Sequence, residues 1–309
     1  MIRQIAHCEV CPRRCGALRM EETGAGVCGM GTFPKIARAA LHMWEEPCIS
    51  GTKGSGAVFF SGCGLRCVYC QNTQISFDRQ GKTVSPGRLA DIFRELVTQG
   101  AHNINLVTAT HFIDAVLEAL REYRPPVPVV FNSSGYETIE TLRRLEGWVD
   151  VYLPDLKYIR PEVSMRYSGA PDYFQFASDA VLEMVRQTGP PVLNSDGMME
   201  RGTLIRHLIL PGNTRNSIEV LNWIKENLPD TPVSLMAQYI PCGRASGYAE
   251  INRPITKREY QKVLEHLFFL GLDGYVQERT AAKKEYIPSF LLEGVEVSHK
   301  KKREEEEQK

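Results

Sequence analysis

The stretch that decides the fold is AVFFSGCGLRCVYCQN, residues 57–72, in which an apolar run leads directly into three closely spaced cysteines. The apolar run, residues 57–60, is typical of a short buried strand. Cys63, Cys67 and Cys70 follow it on what we expect to be a loop. Three thiols on one short loop cannot all pair with one another, so the loop predicts a site that uses thiolates as ligands.

The composition of the chain limits the classes of protein to which it can belong. The 309 residues suffice for one large α/β domain with a small appendage. Lysine and arginine number 37, as do aspartate and glutamate, which argues against a broad basic face for nucleic acid. No apolar run is long enough to span a membrane, and the N-terminus lacks a secretory signal, so we expect a cytoplasmic protein with reduced thiols.

Nine cysteines in such a chain need an explanation. Seven of them form two groups, one near the N-terminus and one in the loop described above, while Cys48 and Cys242 stand alone. A disulfide framework is one interpretation, but the odd number and the large chain fit it poorly. We therefore favour metal or cluster ligation for both groups.

The composition and the hydrophobic pattern change along the chain and predict three regions. Residues 1–50 are rich in cysteine, glycine and arginine, as in small modules held together by a metal. Residues 51–285 alternate between strand and helix patterns, which predicts a parallel sheet with right-handed crossovers. Residues 286–309 end in a charged tail to which we assign no function.

Within the α/β region, the predicted strands lie at residues 57–60, 104–110, 127–134, 148–157, 204–212, 232–240 and 274–278. The fold class is α/β, either a partial (β/α)6 TIM-like barrel or an open doubly wound sheet. In both architectures the carboxyl ends of the strands face the ligand. Those ends are polar or glycine-rich here, at Ser61–Gly62, 108–111, 132–135, 155–157, 211–212 and Gln238.

The number of cysteines in the loop favours one kind of site. A structural zinc ion or a closed [4Fe–4S] cluster requires four ligands, and Cys63, Cys67 and Cys70 provide three. A cubane held by three thiolates leaves one iron open to a small molecule, which predicts a catalytic cluster. The alternative is a zinc site completed from elsewhere in the chain.

The pattern C-x3-C-x2-C, with Tyr69 before the last cysteine, resembles that of the radical S-adenosylmethionine (SAM) superfamily. The wider run GSGAVFFSGCGLRCVYCQN, residues 54–72, is similar to the pyruvate formate-lyase activating enzyme-like branch. Together with CEVCPRRCG, from residue 8, it looks closest to the uncharacterised PflX-type members of that branch. The resemblance covers residues 8–280.

This resemblance implies a radical SAM barrel and a specific chemistry. SAM would bind the open iron, receive one electron through the cluster, and yield a 5′-deoxyadenosyl radical that removes hydrogen from a substrate. A reducing partner such as flavodoxin or ferredoxin would supply the electron. The substrate would be a glycine of a glycyl radical enzyme or another macromolecule.

The resemblance also implies which residues bind the cofactor. Tyr69, Gln71 and Asn72 match the positions that contact SAM from the cysteine loop. The Gly-Gly-Glu motif that normally follows the second strand reads Thr108-Ala109-Thr110-His111 here, so that the hydroxyls of Thr108 and Thr110 would replace it. The remaining expected contacts come from the third and fourth strands, at Asn132, Ser134, Asp155 and Lys157, with Lys157 pairing with the methionine carboxylate.

The four N-terminal cysteines follow the pattern C-x2-C-x3-C-x12-C, at Cys8, Cys11, Cys15 and Cys28. Four thiolates can close around zinc or an auxiliary [4Fe–4S] cluster, and nearby glycines would let backbone amides approach the sulfurs. A set of buried free thiols is the alternative. The spacing of these cysteines does not distinguish a zinc ion from an iron–sulfur cluster as the bound group.

Three functions remain open on the sequence. The first is activation of a macromolecule by radical formation, and the second is radical modification of a small molecule, a peptide or a tRNA. The third is a non-catalytic zinc or iron–sulfur electron-transfer protein, against which the three-thiolate loop argues. His42, Trp44, Glu45 and Glu46 precede the first predicted strand, and we expect them to be packing and surface residues rather than part of a substrate mouth.

Overall fold

The computed structural model describes residues 4–277 and 288–296, and the structural statements below concern those residues. The predicted tail, 286–309, lies largely outside them. The strands in chain order are β1 Lys35–His42, β2 Ser55–Phe60, β3 Lys82–Thr83, β4 Ile104–Val107, β5 Val129–Ser133, β6 Val151–Pro154, β7 Val192–Leu193, β8 Met199–Thr203, β9 Ile205–Leu208, β10 Val233–Met236 and β11 Gly274–Val276. The α-helices are α1 Pro47–Ser50, α2 Thr73–Ser76, α3 Pro86–Thr98, α4 Ile113–Glu122, α5 Ile139–Leu145, α6 Pro161–Ser168, α7 Tyr173–Thr188, α8 Thr214–Asn227 and α9 Lys257–Leu270.

The strands form two sheets that meet along one seam. The larger sheet has the order β3-β1-β2-β4-β5-β6-β8-β7, and the smaller has the order β11-β10-β9. Between them, Asp155 after β6 forms a parallel bridge with Arg206 of β9. The amide of Leu156 donates to the Arg206 carbonyl at 2.8 Å, and that of Leu204 donates to the Tyr152 carbonyl at 3.0 Å. The parallel strands β2, β4, β5, β6, β9 and β10 thus follow one another in space.

This arrangement confirms an α/β fold with a mostly parallel central sheet, and each predicted strand coincides with an observed one. The strand order is also that expected for a partial (β/α)6 barrel. Two features were not predicted. Strand β1 lies in the range we assigned to the N-terminal module, yet it pairs antiparallel with β2 of the main sheet. A short hairpin of β7 and β8 also adds an edge after β6.

Side-chain caps mark the N-termini of α3 and α9. The Ser85 hydroxyl accepts the amide of Arg88 at 3.1 Å, and Pro86 occupies the first turn of α3. Thr256 and Glu259 form a capping box at the start of α9, with each side chain accepting the other residue's amide. The apolar faces of α3 and α4 pack on the large sheet, and those of α8 and α9 pack around the small one. No helix among the described residues is long and apolar enough to cross a membrane.

The ends of β5 and β6 approach each other at a glycine. Gly135 has a φ of +74°, and a Cβ there would overlap the carbonyl oxygen of Asp155. This close approach places the polar ends of the two strands side by side.

We expect Gly135→Ala to lower the free energy of unfolding by more than Gly147→Ala does. Gly147 has a similar φ of +78° but nothing within 4 Å, so alanine there adds only the backbone strain of about 1 kcal/mol. At Gly135 the overlap with backbone should add roughly 1–3 kcal/mol more. Urea unfolding of both variants measures the difference, and equal losses would contradict the close approach.

Candidate functional site

A cavity of about 240 Å³ lies at the carboxyl ends of the parallel strands. The cysteine loop covers one side of it, and the segment before α1 covers another. Its lining residues are His42, Trp44, Glu45, Phe59, Cys63, Leu65, Cys67, Tyr69, Cys70, Gln71, Asn72, Val107, Thr108, Asn132, Ser133, Ser134, Asp155, Lys157, Arg206, Leu208, Met236, Gln238 and Pro288. The described part of the chain therefore brings the three loop cysteines and the polar strand ends to one place.

The three loop cysteines fit a cluster in two ways. All three line the cavity, so a group larger than a single ion could contact each sulfur. Hydrogen-bond donors also point at the sulfurs: the Arg66 amide lies 3.5 Å from Cys63 Sγ, and the Ser168 hydroxyl lies 3.1 Å from Cys67 Sγ. Burial raises the pKa of the Cys70 thiol to about 12, so a thiolate there requires a compensating cation such as iron.

The geometry differs from that of a site for a single ion. Among residues 4–277 and 288–296, no three side chains of His, Cys, Asp or Glu are arranged to hold one metal ion. None of the nine cysteines, all of which lie within the described ranges, forms a disulfide. The three loop cysteines all line the same cavity.

A network of ion pairs forms the wall opposite the cysteine loop. The Arg206 guanidinium donates to Glu45 Oε1 at 2.8 Å, to Asp155 Oδ1 at 3.0 Å and to Asn132 Oδ1 at 2.6 Å. Lys157 pairs with the other oxygen of Asp155. Each of the four charged side chains is at most 14% exposed, so the network is largely shielded from water.

Burial and the neighbouring charges set the protonation states in this wall. Burial opposes ionisation of Asp155, but Arg206 and Lys157 outweigh it and hold the pKa of that carboxyl below its usual value. Burial likewise opposes the charge of Lys157, and Asp155 raises its pKa above the ordinary value. For Arg206, the adjacent carboxylates outweigh burial and raise the pKa. These three groups are therefore charged at neutral pH.

The predicted cofactor-binding residues largely meet at this cavity. The eight that line it are Tyr69, Gln71, Asn72, Thr108, Asn132, Ser134, Asp155 and Lys157. The ninth, Thr110, faces elsewhere: its hydroxyl donates to the buried carboxylate of Glu137 at 2.7 Å. The individual contacts of these residues with SAM stay predictions.

Thr108 has a backbone conformation that suits glycine. Its φ is +64°, in the left-handed region that side chains rarely adopt. This is the position at which the resemblance leads one to expect the first glycine of a glycine-rich motif. For a residue with a side chain this conformation carries a strain of about 1–2 kcal/mol, which is borne by the rest of the fold.

The N-terminal cysteines lie beside the cysteine loop. Cys8 and Cys28 are buried, Cys11 is half-buried and Cys15 is exposed. The pKa of Cys11 is raised to about 12, mainly by burial, with smaller contributions from Glu137 and the neighbouring thiols. The four thiols do not close around a single ion in this arrangement. An auxiliary metal there stays a prediction.

Arg13 joins the N-terminal segment to the cysteine loop. Its guanidinium donates to the carbonyl of Gly64 at 2.8 Å, of Leu65 at 3.3 Å and of Ser168 at 2.8 Å. Cys11 and Cys63 also line one small cavity next to this contact. The two groups of cysteines, 35 residues apart at their nearest members in sequence, are therefore adjacent in space.

The structure corrects our expectation about the segment before α1. We expected His42, Trp44, Glu45 and Glu46 to be packing and surface residues, but His42, Trp44 and Glu45 line the cavity. Glu45 accepts the side-chain amides of Asn105 at 3.2 Å and of Asn132 at 3.0 Å besides its contact with Arg206.

Arg206 was missed on the sequence. The signal was a single arginine inside the apolar stretch LIRHLILPG, where a charged residue on a buried strand calls for partners. Glu45 could not be paired with it on the sequence, because 160 residues separate them and the fold alone brings them together.

Comparison with known proteins agrees with this geometry. The sequence model of the radical SAM superfamily matches residues 57–224. The uncharacterised protein MJ0674 of Methanocaldococcus jannaschii is 31% identical over 269 residues, which cover 84% of this chain and 73% of that protein. The chain belongs to the radical SAM superfamily, whose members are enzymes that use SAM.

Solved structures share the fold. SuiB of Streptococcus suis bound to SAM aligns with a TM-score of 0.51 and 14% identity, over 70% of this chain and 48% of SuiB. A second structure of SuiB gives a TM-score of 0.50 and 15% identity, over 72% of this chain and 48% of SuiB. The chain spans about half the length of SuiB, and at this identity the likeness concerns the fold alone.

We expect the stability of the protein to fall with rising pH because of Glu46. Its carboxyl is 3% exposed and accepts the Ser234 hydroxyl at 2.8 Å, and burial raises its pKa from 4.5 to about 7. A carboxyl with a raised pKa binds its proton more tightly in the folded state, so stability is lost as pH rises from the unfolded value through the folded one. Glu46→Gln should remove this loss.

The measurement is the free energy of unfolding of the wild type and of Glu46→Gln at pH 5 and pH 8. The variant should gain up to about 3 kcal/mol relative to the wild type between the two pH values. Glu226→Gln, at an exposed position of α8, is the control. A difference between wild type and Glu46→Gln that does not change with pH would show that Glu46 titrates normally.

Proposed function

We propose that this radical SAM enzyme holds a [4Fe–4S] cluster on Cys63, Cys67 and Cys70 and abstracts hydrogen from a glycine of a macromolecular partner, as in the pyruvate formate-lyase activating enzyme-like branch and its PflX-type members. The observation that carries the proposal is the convergence of the three cysteines with the polar ends of β4, β5 and β6 on one cavity. When bound, the cluster and SAM supply one electron and the 5′-deoxyadenosyl radical that removes a hydrogen atom.

The protein's own residues have positioning roles in this proposal. Tyr69 is buried, and its hydroxyl pairs with that of Tyr158, which fixes the end of the cysteine loop. Lys157 uses one ammonium donor on Asp155 and keeps the others for the methionine carboxylate of SAM. The half-buried Gln71 and Asn72 form the adjoining edge of the cavity.

The charges in the wall favour a neutral group as the site of hydrogen abstraction. Arg206, Glu45, Asp155 and Lys157 are paired with one another. One other ionisable side chain lines the described wall outside the cysteine loop, that of His42. Burial lowers the pKa of His42, so its imidazole is neutral at pH 7. Once Lys157 contacts SAM, the described wall offers little charge with which to select a charged metabolite. A peptide glycine carries no charge.

Modification of a small molecule is the second candidate, and the cavity volume of about 240 Å³ favours it. The lining also includes Trp44, which is 60% exposed, and Pro288.

The substrate class can be tested by isotope transfer. The reconstituted protein is reduced with dithionite and incubated with SAM and an extract from cells grown on deuterated glycine. We expect deuterium in 5′-deoxyadenosine when the dialysed macromolecular fraction of the extract is added. Transfer from the low-molecular-weight fraction alone would replace the glycine proposal with the second candidate.

The cluster assignment predicts a clear loss on substitution. Cys67→Ala should abolish the reductive cleavage of SAM, measured as 5′-deoxyadenosine, and should lower the iron content by about four per chain. Cys48→Ala is the matched control, because Cys48 is also buried but lies outside the cavity lining. If Cys67→Ala cleaved SAM at the full rate with an unchanged circular dichroism spectrum, the assignment of the cluster to these cysteines would be wrong.

The N-terminal cysteines predict a separate metal content. If they hold a second cubane, the reconstituted wild type should contain about eight irons, and Cys11→Ser should contain about four. For zinc, the same variant should lose one zinc ion and no iron. We expect cleavage of SAM to continue in this variant with dithionite as reductant. An unchanged content of both metals would show that the four thiols bind neither.

A further inference from the structure

Three arginines lie near one another on the surface beside the cysteine loop, two of them against the ring of Phe77, and we name the three, with Phe77, the arginine patch. Arg66 lies with its guanidinium carbon 4.7 Å from the centre of the Phe77 ring. Arg244 lies 4.3 Å from the same ring centre. Arg79 is two residues from Phe77, and its positive charge acts on Arg66 together with that of Arg244.

The positive charges of the arginine patch are not neutralised by ion pairs among the described residues. None of the ion pairs among the described residues includes Arg66, Arg79 or Arg244, and Asp78, the acidic residue next to Arg79, is exposed and forms no ion pair there either. Elsewhere in the chain, Arg38, Arg88 and Arg206 each meet a carboxylate. Like charges held close together repel, so the patch is an unsatisfied electrostatic surface that favours an anionic partner.

The patch borders both groups of cysteines. Arg66 belongs to the loop itself, between Cys63 and Cys67. The amide of Arg244 donates to the Val68 carbonyl in the same loop at 2.7 Å. On the other side, a side chain at Gly29, next to Cys28, would overlap the Arg79 guanidinium. A partner seated on the patch would therefore sit over the cysteine loop and next to the N-terminal thiols.

We propose that the arginine patch is the docking surface for an acidic one-electron carrier protein. This inference rests on the proposed function, since the cleavage of each SAM requires one electron. Charge complementarity identifies the partner: its carboxylates would neutralise the three guanidiniums, and Phe77 would supply a small apolar centre. In each encounter the reduced carrier loses one electron and the metal centre of this chain gains it, with no bond formed or broken.

The test compares two reductants on the reconstituted full-length enzyme. An acidic flavodoxin in its reduced form must dock, whereas dithionite reaches the metal centre without docking. The variants are Arg79→Glu, Arg244→Glu and the pair together. Arg258→Glu, at an exposed position of α9, is the matched control for the change in charge.

We expect flavodoxin-driven cleavage of SAM to fall roughly ten-fold or more in the double variant, through a higher KM for flavodoxin. Dithionite-driven cleavage should stay within about two-fold of the wild type, and Arg258→Glu should change neither rate. In the wild type the flavodoxin-driven rate should decrease with added salt. Equal loss with both reductants, or no loss with flavodoxin, would overturn the docking proposal.

A binding measurement separates this inference from the proposed function. Flavodoxin labelled with a fluorophore should bind the wild type at low salt and bind the double variant at least about ten-fold more weakly. This result would support the docking surface even if dithionite produced no 5′-deoxyadenosine, an outcome that would reject the proposed function alone.

Two other occupants of the patch can be recognised. One is RNA, for which a single-stranded oligoribonucleotide is the probe: if it bound the patch more tightly than flavodoxin and displaced it, the carrier proposal would be wrong. The other is the acidic run at residues 304–307 of this chain. Changing these four glutamates to glutamine should leave flavodoxin-driven cleavage unchanged, and a several-fold increase would assign the patch to that run.

Discussion

The structure depends on the buried positive charge of Arg206 at the seam between the two sheets. Its backbone bridges to Asp155, and its side chain reaches Glu45, Asn132 and Asp155, so one residue joins β5, β6, β9 and the segment before α1. Removing one partner of such a buried pair typically costs about 3–5 kcal/mol, because the other charge is left unpaired. The same residue lines the cavity, so this ion-pair network is also part of the site.

The polar strand ends and the cysteine loop depend on this seam. Asp155 is held between Arg206 and Lys157, and its carbonyl oxygen lies against Gly135 at the end of the neighbouring strand. Thr108 keeps a left-handed conformation on the next strand. Each of these features is unfavourable or restrictive alone, and together they fix the spacing of the strand ends. A cofactor with several polar groups requires a wall of this kind, with its donors and acceptors in place before binding.

The sequence predicted the α/β fold because the fold depends on local patterns. Apolar runs marked the strands. The spacing of Cys63, Cys67 and Cys70 marked a candidate ligand loop, and the structure places all three on one cavity. The partners of Arg206 were not predictable, since they depend on contacts between distant segments. Strand β1 was missed because its residues, 35–42, include charged and small side chains that mask a strand pattern. The hairpin was missed because β7 has two residues and β8, with the sequence MERGT, contains two charged side chains and a glycine.

The distribution of charge separates the inside of the site from its outer surface. In the cavity, the charged side chains outside the cysteine loop are paired with one another, so the described wall forms a fixed polar frame. On the surface over the same loop, Arg66, Arg79 and Arg244 are left without carboxylates among the described residues. An enzyme that consumes an electron from a separate protein needs both conditions. Its reaction must be shielded from water, and the surface at which it receives the electron must attract a partner protein without binding it permanently. In our proposal the arginine patch attracts that partner through charge that salt can screen.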